Sequence, residues 1–241
     1  MKKLIFILLM TCTTLSQAQK FKKLDDDDLI NQVSEALNNK KAIGWMQGRM
    51  EFGPRALGSR SIIADPRCPL MQKQLNLKVK YRESFRPFAP SVLREDVNEW
   101  FEYNTDSPYM LMVAPVQKKK CYASGEKENF FFGIEKLKIQ RSSIPAVTHV
   151  DYSARIQTVH KETNPLYHKL ISKFKEKTGC PIIINSSFNV RGEPIVCTPK
   201  DAFKCFMGTE LDVLVIGNFL LIKNEQEEKL KENYKEKYEL D

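Results

Sequence analysis

The sequence predicts a single α/β domain that contains a mixed β-sheet with flanking helices. Short apolar strands alternate with amphipathic helices through most of the chain, which is typical of this class. The chain has 241 residues, of which 42% are hydrophobic and 28% charged, as in ordinary globular proteins. A chain of this length can bury a substantial core in one large domain or two small ones.

The first half of the chain has recognisable helix and strand signals. Four aspartates, Asp25 to Asp28, precede apolar residues at helical spacing, and acidic residues complement the N-terminal end of a helix dipole. We therefore predict that a helix starts there. The apolar run 42–47 predicts a buried strand that leads into the loop at Gly48. Further predictions are a helix at 70–79, strands at 88–93 and 109–116, and an exposed excursion at 118–138.

The signals of the second half are stronger. Asn164 followed by Pro165 is typical of a helix start, and Gly179 predicts the end of that helix. The β-branched run 181–185 predicts a short strand. Further predictions are strands at 146–150, 155–159, 212–217 and 219–223, a helix at 198–207, and a charged, solvent-exposed tail at 224–241.

The arginines of this chain are concentrated in one stretch. Seven of the ten lie between Arg49 and Arg94, among glycines and prolines rather than along a helix face. A guanidinium group fits phosphate and carboxylate oxygens, and glycine lets the backbone approach such a ligand closely. The stretch therefore predicts an anion pocket for phosphate groups. Evenly scattered lysines would instead have indicated a solvated basic surface.

Polar residues cluster in three loops, 48–60, 80–86 and 185–192. In open α/β sheets, ligands collect beyond the ends of the strands, so we expect these loops to meet at one site. The first two loops supply cations, and the third supplies hydroxyls and an amide. Taken alone, the third loop is also typical of an ordinary turn, because Asn and Ser favour turns.

Several kinds of chemistry are excluded or disfavoured by the sequence. The phosphate-binding P-loop, the dinucleotide-binding glycine motif and the nucleophile elbow do not occur. His149 lies in a polar cluster, but the chain has three histidines and no metal-ligand spacing, which favours a structural histidine. We therefore predict no metal site. The net charge of +8 suits nucleotides as well as nucleic acids, whereas the aromatic residues lie mostly in apolar runs, which disfavours RNA.

Six segments, in this order, resemble one family of enzymes. The longest are GWMQGRMEFGPRALGSRSI (44–62), NLKVKYRESFRPFAPSVL (76–93) and TGCPIIINSSFNVRGEPIV (178–196); the others are 107–116, 144–159 and 212–223. Together they resemble the C-terminal, YrdC-like domain of the O-carbamoyltransferases of nodulation-factor and antibiotic biosynthesis. The resemblance covers residues 22–223, between a leader at 1–18 and the tail at 224–241. It implies a YrdC-like twisted mixed sheet flanked by helices in a single domain.

The resemblance also implies an activity. YrdC-like domains carry a Lys-x-Arg and a Ser-x-Asn signature, matched here by Lys80-Tyr81-Arg82 and Ser187-Phe188-Asn189. Such a domain is expected to use ATP, with Mg²⁺, and carbamoyl phosphate to form carbamoyl-adenylate, releasing pyrophosphate and phosphate. The residues implied as catalytic are Lys80, Arg82 and Arg86, and those implied as substrate- or nucleotide-binding are Arg49, Arg55, Arg60, Arg155, Ser187, Asn189 and Arg191.

The resemblance further concerns partners. The full enzymes carry a longer N-terminal domain with a histidine-bound iron, which transfers the carbamoyl group to an acceptor hydroxyl. No stretch of this chain resembles that domain, so we expect no iron site here and expect a separate domain or chain to complete the transfer. Two alternatives remain open, namely a non-catalytic nucleotide- or RNA-binding module and an inactive fragment. The sequence also departs from the family where Tyr152-Ser153 replaces Gly-Thr, which would narrow the pocket beside Arg155.

The location of the protein in the cell is left open by conflicting signals. Lys2 and Lys3 precede an apolar run, and Ser16-Gln17-Ala18 has the small residues of a signal-peptidase site. The run is too short for a membrane span. Cys12 is one of six cysteines, and the five that follow residue 18 include no CxxC pair. An odd, unpaired set is typical of reduced cytosolic thiols, and a need for ATP also favours the cytoplasm.

Overall fold

The structure is a computed structural model that describes residues 20–122, 131–133, 136, 139–231 and 234. Within that part of the chain, nine strands form one sheet in the order β1-β9-β8-β2-β3-β7-β4-β6-β5. Two neighbouring pairs, β2 with β8 and β4 with β6, are parallel, and the other pairs are antiparallel. The strands are β1 (Lys22–Lys23), β2 (Ile43–Met46), β3 (Arg60–Ala64), β4 (Ala89–Leu93), β5 (Met112–Pro115), β6 (Ser153–Val159), β7 (Ile182–Ser187), β8 (Val213–Ile216) and β9 (Phe219–Ile222).

Helices flank this sheet. The described residues form α1 (Asp26–Asn38), α2 (Met71–Lys78), α3 (Val97–Trp100), α4 (Pro165–Thr178) and α5 (Pro199–Gly208). Helix α1 packs against α4, α4 contacts β4 and β7, and α5 contacts β2 and β8. The predicted single α/β domain with a mixed sheet and flanking helices is therefore confirmed.

The ends of two predicted helices follow from their capping residues. The side chain of Asp25 accepts the backbone N–H of Asp28, and three aspartates occupy the first turn of α1. At the start of α4, the side chain of Asn164 accepts the N–H of Tyr167. Helix α4 ends at Gly179, whose φ of 73° lies in the left-handed region that glycine adopts without steric cost. Both helices begin where the sequence predicts.

Two predicted strands are corrected by the structure. The range 146–150 is not a strand, because Pro145–Val147 forms a 3-10 helix. A proline has a fixed φ and no N–H to donate to a neighbouring strand. The strand predicted at 109–116 is shorter and begins at Met112, because Met110 has a φ of 56° that breaks the extended backbone.

Strand β3 connects the loop 48–60 to the centre of the sheet and is not predicted by the sequence pattern. Strand β3 pairs with β2 on one side and with β7 on the other, where Ser61 lies opposite Ser187. Its first residue is a buried arginine, Arg60, directly after a polar loop, so that the apolar part is only three residues long. This pairing places the base of the arginine-rich loop beside the C-terminal end of β7.

Contacts of Gly58 with Trp45 and Tyr167 hold the end of the loop 48–60 against the core. Trp45 is fully buried in β2, and its indole N–H donates to the carbonyl oxygen of Gly58 at 2.9 Å. Gly58 has a φ of 109°, and a Cβ atom there would lie 2.6 Å from Cδ1 of Tyr167. Only glycine fits this position, because both the backbone conformation and the space exclude a side chain.

The predicted leader, the predicted excursion and the tail are described only in part or not at all. The predicted leader lies outside the described residues, as does most of the excursion predicted at 118–138. In the tail, Tyr234 is 2% exposed and donates its hydroxyl to Oε1 of Glu193 at 2.9 Å. The prediction of a solvent-exposed tail is therefore wrong at Tyr234, because its ring packs against Gly208.

None of the helices described here has the length and apolar character needed to cross a bilayer.

Candidate functional site

Lys80 joins the two predicted signature motifs. Its Nζ donates to the carbonyl oxygen of Ser187 at 2.5 Å and to that of Asn189 at 2.9 Å. It also lies 3.2 Å from Oγ of Ser187 and 2.8 Å from Oδ1 of Asn189. The hydroxyl of Ser187 donates to Oδ1 of Asn189 at 2.7 Å. The Lys-x-Arg and Ser-x-Asn motifs are therefore in direct contact.

The elements around these residues explain the contact. Lys80 follows the C-terminal end of α2, and Ser187 is the last residue of β7. Beyond Asn189 the chain turns back, where Val190 N–H donates to a carboxylate oxygen of Glu193. The N–H of Arg191 then donates to the carbonyl oxygen of Lys80 at 3.1 Å. The loops 80–86 and 185–192 are consequently held together by backbone and side-chain hydrogen bonds.

Burial sets the electrostatic state of Lys80. The residue is 4% exposed, and burial lowers the pKa of its ammonium group to about 7, with nearby Arg82 as a second cause. The four oxygen atoms around Nζ favour the charged form in return, because they accept its three N–H groups, one of which is shared. Any anion bound nearby would also favour the charged ammonium.

A pocket of about 120 Å³ lies beside this cluster. Its volume exceeds the ~10–15 Å³ that one water molecule needs. Three guanidinium side chains contribute to its wall, from Arg55, Arg82 and Arg155, and the described residues of the wall include no carboxylate. The remaining lining residues are Pro54, Ala56, Pro87, Phe88, Ala89, Met110, Asn185, Ser186 and Ser187. The expected convergence of the three loops is thus observed, because each of them contributes to this wall.

Burial and a neighbouring arginine lower the pKa of two arginines of the pocket, Arg82 and Arg155. Burial and, as the second cause, the neighbouring charge of Arg86 lower the pKa of Arg82 to about 10. Burial also lowers the pKa of Arg155, with Arg55 as the second cause. Nε of Arg82 donates to Oδ1 of Asn76 at 2.6 Å, and its guanidinium carbon lies 5.0 Å from the ring centre of Phe88. An anion bound among these guanidinium groups would offset the repulsion that lowers their pKa values.

Arg60 lies outside this pocket wall. It is 5% exposed, and all three of its guanidinium nitrogens donate to backbone carbonyl oxygens. The acceptors are the carbonyl oxygens of Gln47, Gly48, Ser59 and Cys197, at 3.0–3.4 Å. These bonds favour a structural role over the phosphate-binding role that the resemblance implies.

Three other predicted residues lie apart from the pocket wall. Nε of Arg86 lies 2.8 Å from Oε2 of Glu83, and Nη1 of Arg191 lies 3.5 Å from Oε1 of the same residue. Arg86 is exposed, and Arg191 is half-buried. Arg49 is exposed on the loop 48–60. Glu83 therefore partly compensates the charge of both Arg86 and Arg191, and the roles of all three arginines stay predictions.

His149 lies beside a second, wider cavity. The 120 Å³ pocket lined by Arg55, Arg82 and Arg155 is named the cationic pocket. The second cavity, of about 520 Å³, shares Pro87 with it. Nδ1 of His149 is 3.2 Å from Oγ of Ser153, which in turn donates to Oδ1 of Asp151 at 2.6 Å. Burial lowers the pKa of His149, so a neutral ring that makes a local hydrogen bond is favoured. Within the described parts of the chain, no group of three or more potential metal ligands occurs.

The comparison with protein families decides the family of this chain. The family model described as "Carbamoyltransferase C-terminus" matches residues 34–223. The chain belongs to the carbamoyltransferase C-terminus family. The family to which the sequence motifs pointed is therefore confirmed.

Several curated relatives share this domain. An uncharacterized protein of Synechocystis sp. is 56% identical over 90% of this chain and 35% of its own length. The nodulation protein NolNO of Sinorhizobium fredii is 44% identical over 82% of this chain and 26% of its own. A 3'-hydroxymethylcephem-O-carbamoyltransferase of Amycolatopsis lactamdurans is 33% identical over 78% and 32%, respectively. The chain thus spans about a third of the length of these relatives or less.

A solved structure also resembles this carbamoyltransferase C-terminus domain. A crystal structure of full-length HypF in the phosphate- and nucleotide-bound form matches with a TM-score of 0.47 and 16% identity. The match covers 85% of this chain and 22% of that one.

Two buried amides of this carbamoyltransferase-family domain are absent from the predicted site residues. Asn185 lies in β7, and Gln157 lies in β6; the two side chains are joined by a 2.8 Å hydrogen bond from Nδ2 of Asn185 to Oε1 of Gln157. Nε2 of Gln157 donates to the carbonyl oxygen of Leu57, in the arginine-rich loop. The available signal was a polar residue inside an otherwise apolar strand, which is rare unless its hydrogen bonds are satisfied.

Proposed function

We propose that this carbamoyltransferase-family domain binds ATP and carbamoyl phosphate and forms carbamoyl-adenylate. The observation that supports the proposal best is the meeting of Arg55, Arg82 and Arg155 around one pocket that Ser187 also lines. Both substrates carry phosphate groups, and guanidinium groups bind phosphate oxygens in two parallel hydrogen bonds. The curated relatives named as carbamoyltransferases agree with a transferase reaction.

The proposed reaction needs little covalent chemistry from the protein. One water cleaves carbamoyl phosphate into carbamate and phosphate, and a carbamate oxygen then attacks the α-phosphorus of ATP. Pyrophosphate leaves, and carbamoyl-adenylate remains. Such steps depend mainly on positioning and on compensating the negative charge of the transition state. A pocket with three guanidinium groups fits this demand.

Each part of the site would have its own task. Arg55, Arg82 and Arg155 would bind phosphate oxygens, while Lys80 would hold Ser187 and Asn189 in place and add a buried positive charge. The wider cavity of about 520 Å³ that adjoins at Pro87 has a mixed wall, in which Phe85 and several prolines alternate with polar side chains such as His149, and it offers room for the nucleoside of ATP. The described wall of the cationic pocket has no carboxylate, so Mg²⁺ would be held by the phosphates themselves.

Transfer of the carbamoyl group to an acceptor hydroxyl would need a further domain or chain. The described residues contain no cluster of potential metal ligands that could form an iron site. The relatives are about three times as long as the matched region or longer, which leaves room for such a domain in them. The acceptor is therefore outside this proposal.

The test is pyrophosphate release by the purified chain in the presence of ATP, Mg²⁺ and carbamoyl phosphate. We expect release only when both substrates are present, and we expect a loss of about tenfold or more on Arg55→Gln because a charged hydrogen bond is removed. The exposed Lys73 of α2, which is not among the predicted site residues, provides the control as Lys73→Gln. Binding of both substrates without pyrophosphate release would instead support a non-catalytic nucleotide-binding module. Absence of binding by calorimetry would overturn the proposal.

A further inference from the structure

Asn185 has one side-chain atom that the protein leaves without a partner. The residue is 1% exposed, and its Oδ1 accepts no hydrogen bond from any described residue. A buried polar atom without a partner is costly, and native proteins rarely retain one without a reason. A ligand that donates a hydrogen bond would satisfy this atom.

The orientation of this amide is fixed by its neighbours. Nδ2 of Asn185 donates to the carbonyl oxygen of Ala56 at 3.0 Å and to Oε1 of Gln157 at 2.8 Å. Gln157 is fixed in turn, because its Nε2 donates to the carbonyl oxygen of Leu57. If the amide of Asn185 were reversed, its oxygen would face two oxygen atoms that cannot donate. The nitrogen side is therefore fully used, and only the oxygen remains available.

The hydrogen-bond network continues into the core. Oε1 of Gln157 also accepts the hydroxyl of Ser91 at 2.5 Å, and Oγ of Ser91 accepts the hydroxyl of Tyr167 at 3.1 Å. All of these side chains are buried. A connected network of this kind holds its members rigidly, so that the position of Oδ1 is fixed before a ligand arrives.

Asn185 lies on the same face of the sheet as the cationic pocket. Alternate residues of a strand share a face, so Asn185 shares its face with Ser187, and Gln157 shares its face with Arg155. The hydrogen bond between the side chains of Asn185 and Gln157 shows that all of these residues lie on the same face of the sheet. Asn185, Arg155 and Ser187 all line the 120 Å³ pocket. The unpartnered oxygen therefore belongs to a residue of the wall that also contains Arg55, Arg82 and Arg155.

We propose that Oδ1 of Asn185 accepts a hydrogen bond from the amino group of the carbamoyl moiety and selects carbamoyl phosphate over acyl phosphates that lack this group. This inference rests on the proposed function. The guanidinium groups can bind the phosphate of either kind of ligand, but they cannot accept a hydrogen bond. A buried acceptor in the same wall suits the neutral, donating end of carbamoyl phosphate.

The same contact persists through the proposed reaction. Carbamoyl phosphate, carbamate and carbamoyl-adenylate all carry the same amino group, whereas the group bonded to the carbamoyl carbon changes at each step. An acceptor on the amino group would therefore hold the carbamoyl carbon in place while phosphate leaves and the adenylyl group is added.

The discriminating probe is acetyl phosphate, which has a methyl group where carbamoyl phosphate has an amino group. A site that hydrogen-bonds an N–H rejects an analogue without it, because its own acceptor is then left unpaired. By calorimetry on the full chain, we expect carbamoyl phosphate to bind at least about tenfold more tightly than acetyl phosphate. In Asn185→Leu we expect the two affinities to agree within about twofold, because the acceptor is gone.

Controls separate this inference from a general loss of the site. Inorganic phosphate reports on the arginines alone, and we expect Asn185→Leu to bind it as the wild-type protein does. Ser91→Ala disturbs the same buried network away from the pocket wall, and we expect it to keep the preference for carbamoyl phosphate. Asn185→Ala replaces Asn185→Leu if the latter fails to fold.

The outcomes are distinct. Equal binding of carbamoyl and acetyl phosphate by the wild-type protein overturns this inference and leaves the proposed function standing, as does a preference that survives in a folded Asn185 variant. Failure of the wild-type protein to bind carbamoyl phosphate at all overturns the proposed function and, with it, the inference.

Discussion

Nζ of Lys80 lies 2.8 Å from Oδ1 of Asn189, although 109 residues separate them in the sequence. The same ammonium group contacts two oxygen atoms of Ser187. The loop after α2 and the loop after β7 therefore share one buried cation. Removing it should affect the loop 185–192 first, because Ser187 also lines the cationic pocket.

Replacing Lys80 tests this dependence. Lys80→Met keeps the length of the side chain and removes its charge, so we expect ATP affinity to fall by about tenfold or more because charged hydrogen bonds are lost. Calorimetry measures the effect. Lys78→Met is the matched control, because Lys78 is exposed and pairs with Glu210 at 2.9 Å on the surface. Equal ATP affinity of Lys80→Met and wild-type protein would show that the buried cation is not needed for binding.

Arg55 and Arg49 offer a comparison within one loop. Both are exposed, but Arg55 lines the cationic pocket. We expect Arg55→Gln to weaken inorganic phosphate binding by about tenfold, the effect of one charged hydrogen bond, and Arg49→Gln to change it by less than about twofold. Phosphate titrations of both variants measure the difference. Similar losses in the two variants would indicate a diffuse basic surface instead of a pocket.

Anion binding should be coupled to proton uptake at Lys80. Burial places the pKa of Lys80 at about 7, so at pH 8 the folded protein holds this side chain mostly neutral. A bound phosphate favours the ammonium form and raises that pKa, so binding at pH 8 should take up a proton. Calorimetry in buffers with different ionisation enthalpies measures the uptake. We expect it to disappear in Lys80→Met; uptake that persists in this variant would assign the proton to another group.

The same group makes stability depend on pH. In the unfolded chain Lys80 has its ordinary pKa of 10.5, whereas the folded chain releases the proton near pH 7. Between these values the unfolded state binds more protons, so the contribution of Lys80 to the free energy of unfolding increases with pH. Denaturant titrations at pH 7 and pH 9.5, compared between wild-type protein and Lys80→Met, isolate this contribution. If the free energy of unfolding of wild-type protein minus that of Lys80→Met decreased with pH, a lowered pKa of Lys80 in the folded chain would be contradicted.

Arg60 should act on stability more than on binding. Arg60→Lys keeps the charge but cannot reach carbonyl oxygens of four residues at once, so we expect the free energy of unfolding to fall by about 1–3 kcal/mol. Chemical denaturation measures this change. Phosphate affinity at a temperature where the variant is folded should stay near that of the wild-type protein. A large loss of affinity with unchanged stability would restore the phosphate-binding role.

Much of the fold could be predicted because its signals are local. The Asp25 and Asn164 caps and the left-handed Gly179 each mark a helix end within a few residues. Strand β3 could not be predicted with them, because its pairing with β2 and β7 depends on residues far away in the sequence. The 3-10 helix at Pro145–Val147 was predicted wrongly for a local reason, because the proline overrides the apolar run.

The site was predictable in its residue types but not in its geometry. The arginine-rich loop indicated an anion pocket, yet only the three-dimensional structure distinguishes Arg55, which faces the pocket, from Arg60, whose donors are used by carbonyl oxygens. Tyr152 has a φ of 64°, in the left-handed region that glycine favours, at the position where the resemblance implies a glycine. Asn185 falls in the predicted polar loop 185–192 but is not singled out there as a site residue, because its buried hydrogen-bond network joins distant strands and no short motif records it.

The buried indole of Trp45 offers a built-in optical reporter. Its N–H is bonded to Gly58, in the segment that also carries Arg55, so movement of that segment would alter the polarity around the ring. The chain has one other tryptophan, Trp100, whose ring lies 3.8 Å from the ammonium of Lys120, far along the chain from the arginine loop. With Trp100 replaced by phenylalanine, a change in emission on adding anions would follow the response of this one segment in real time.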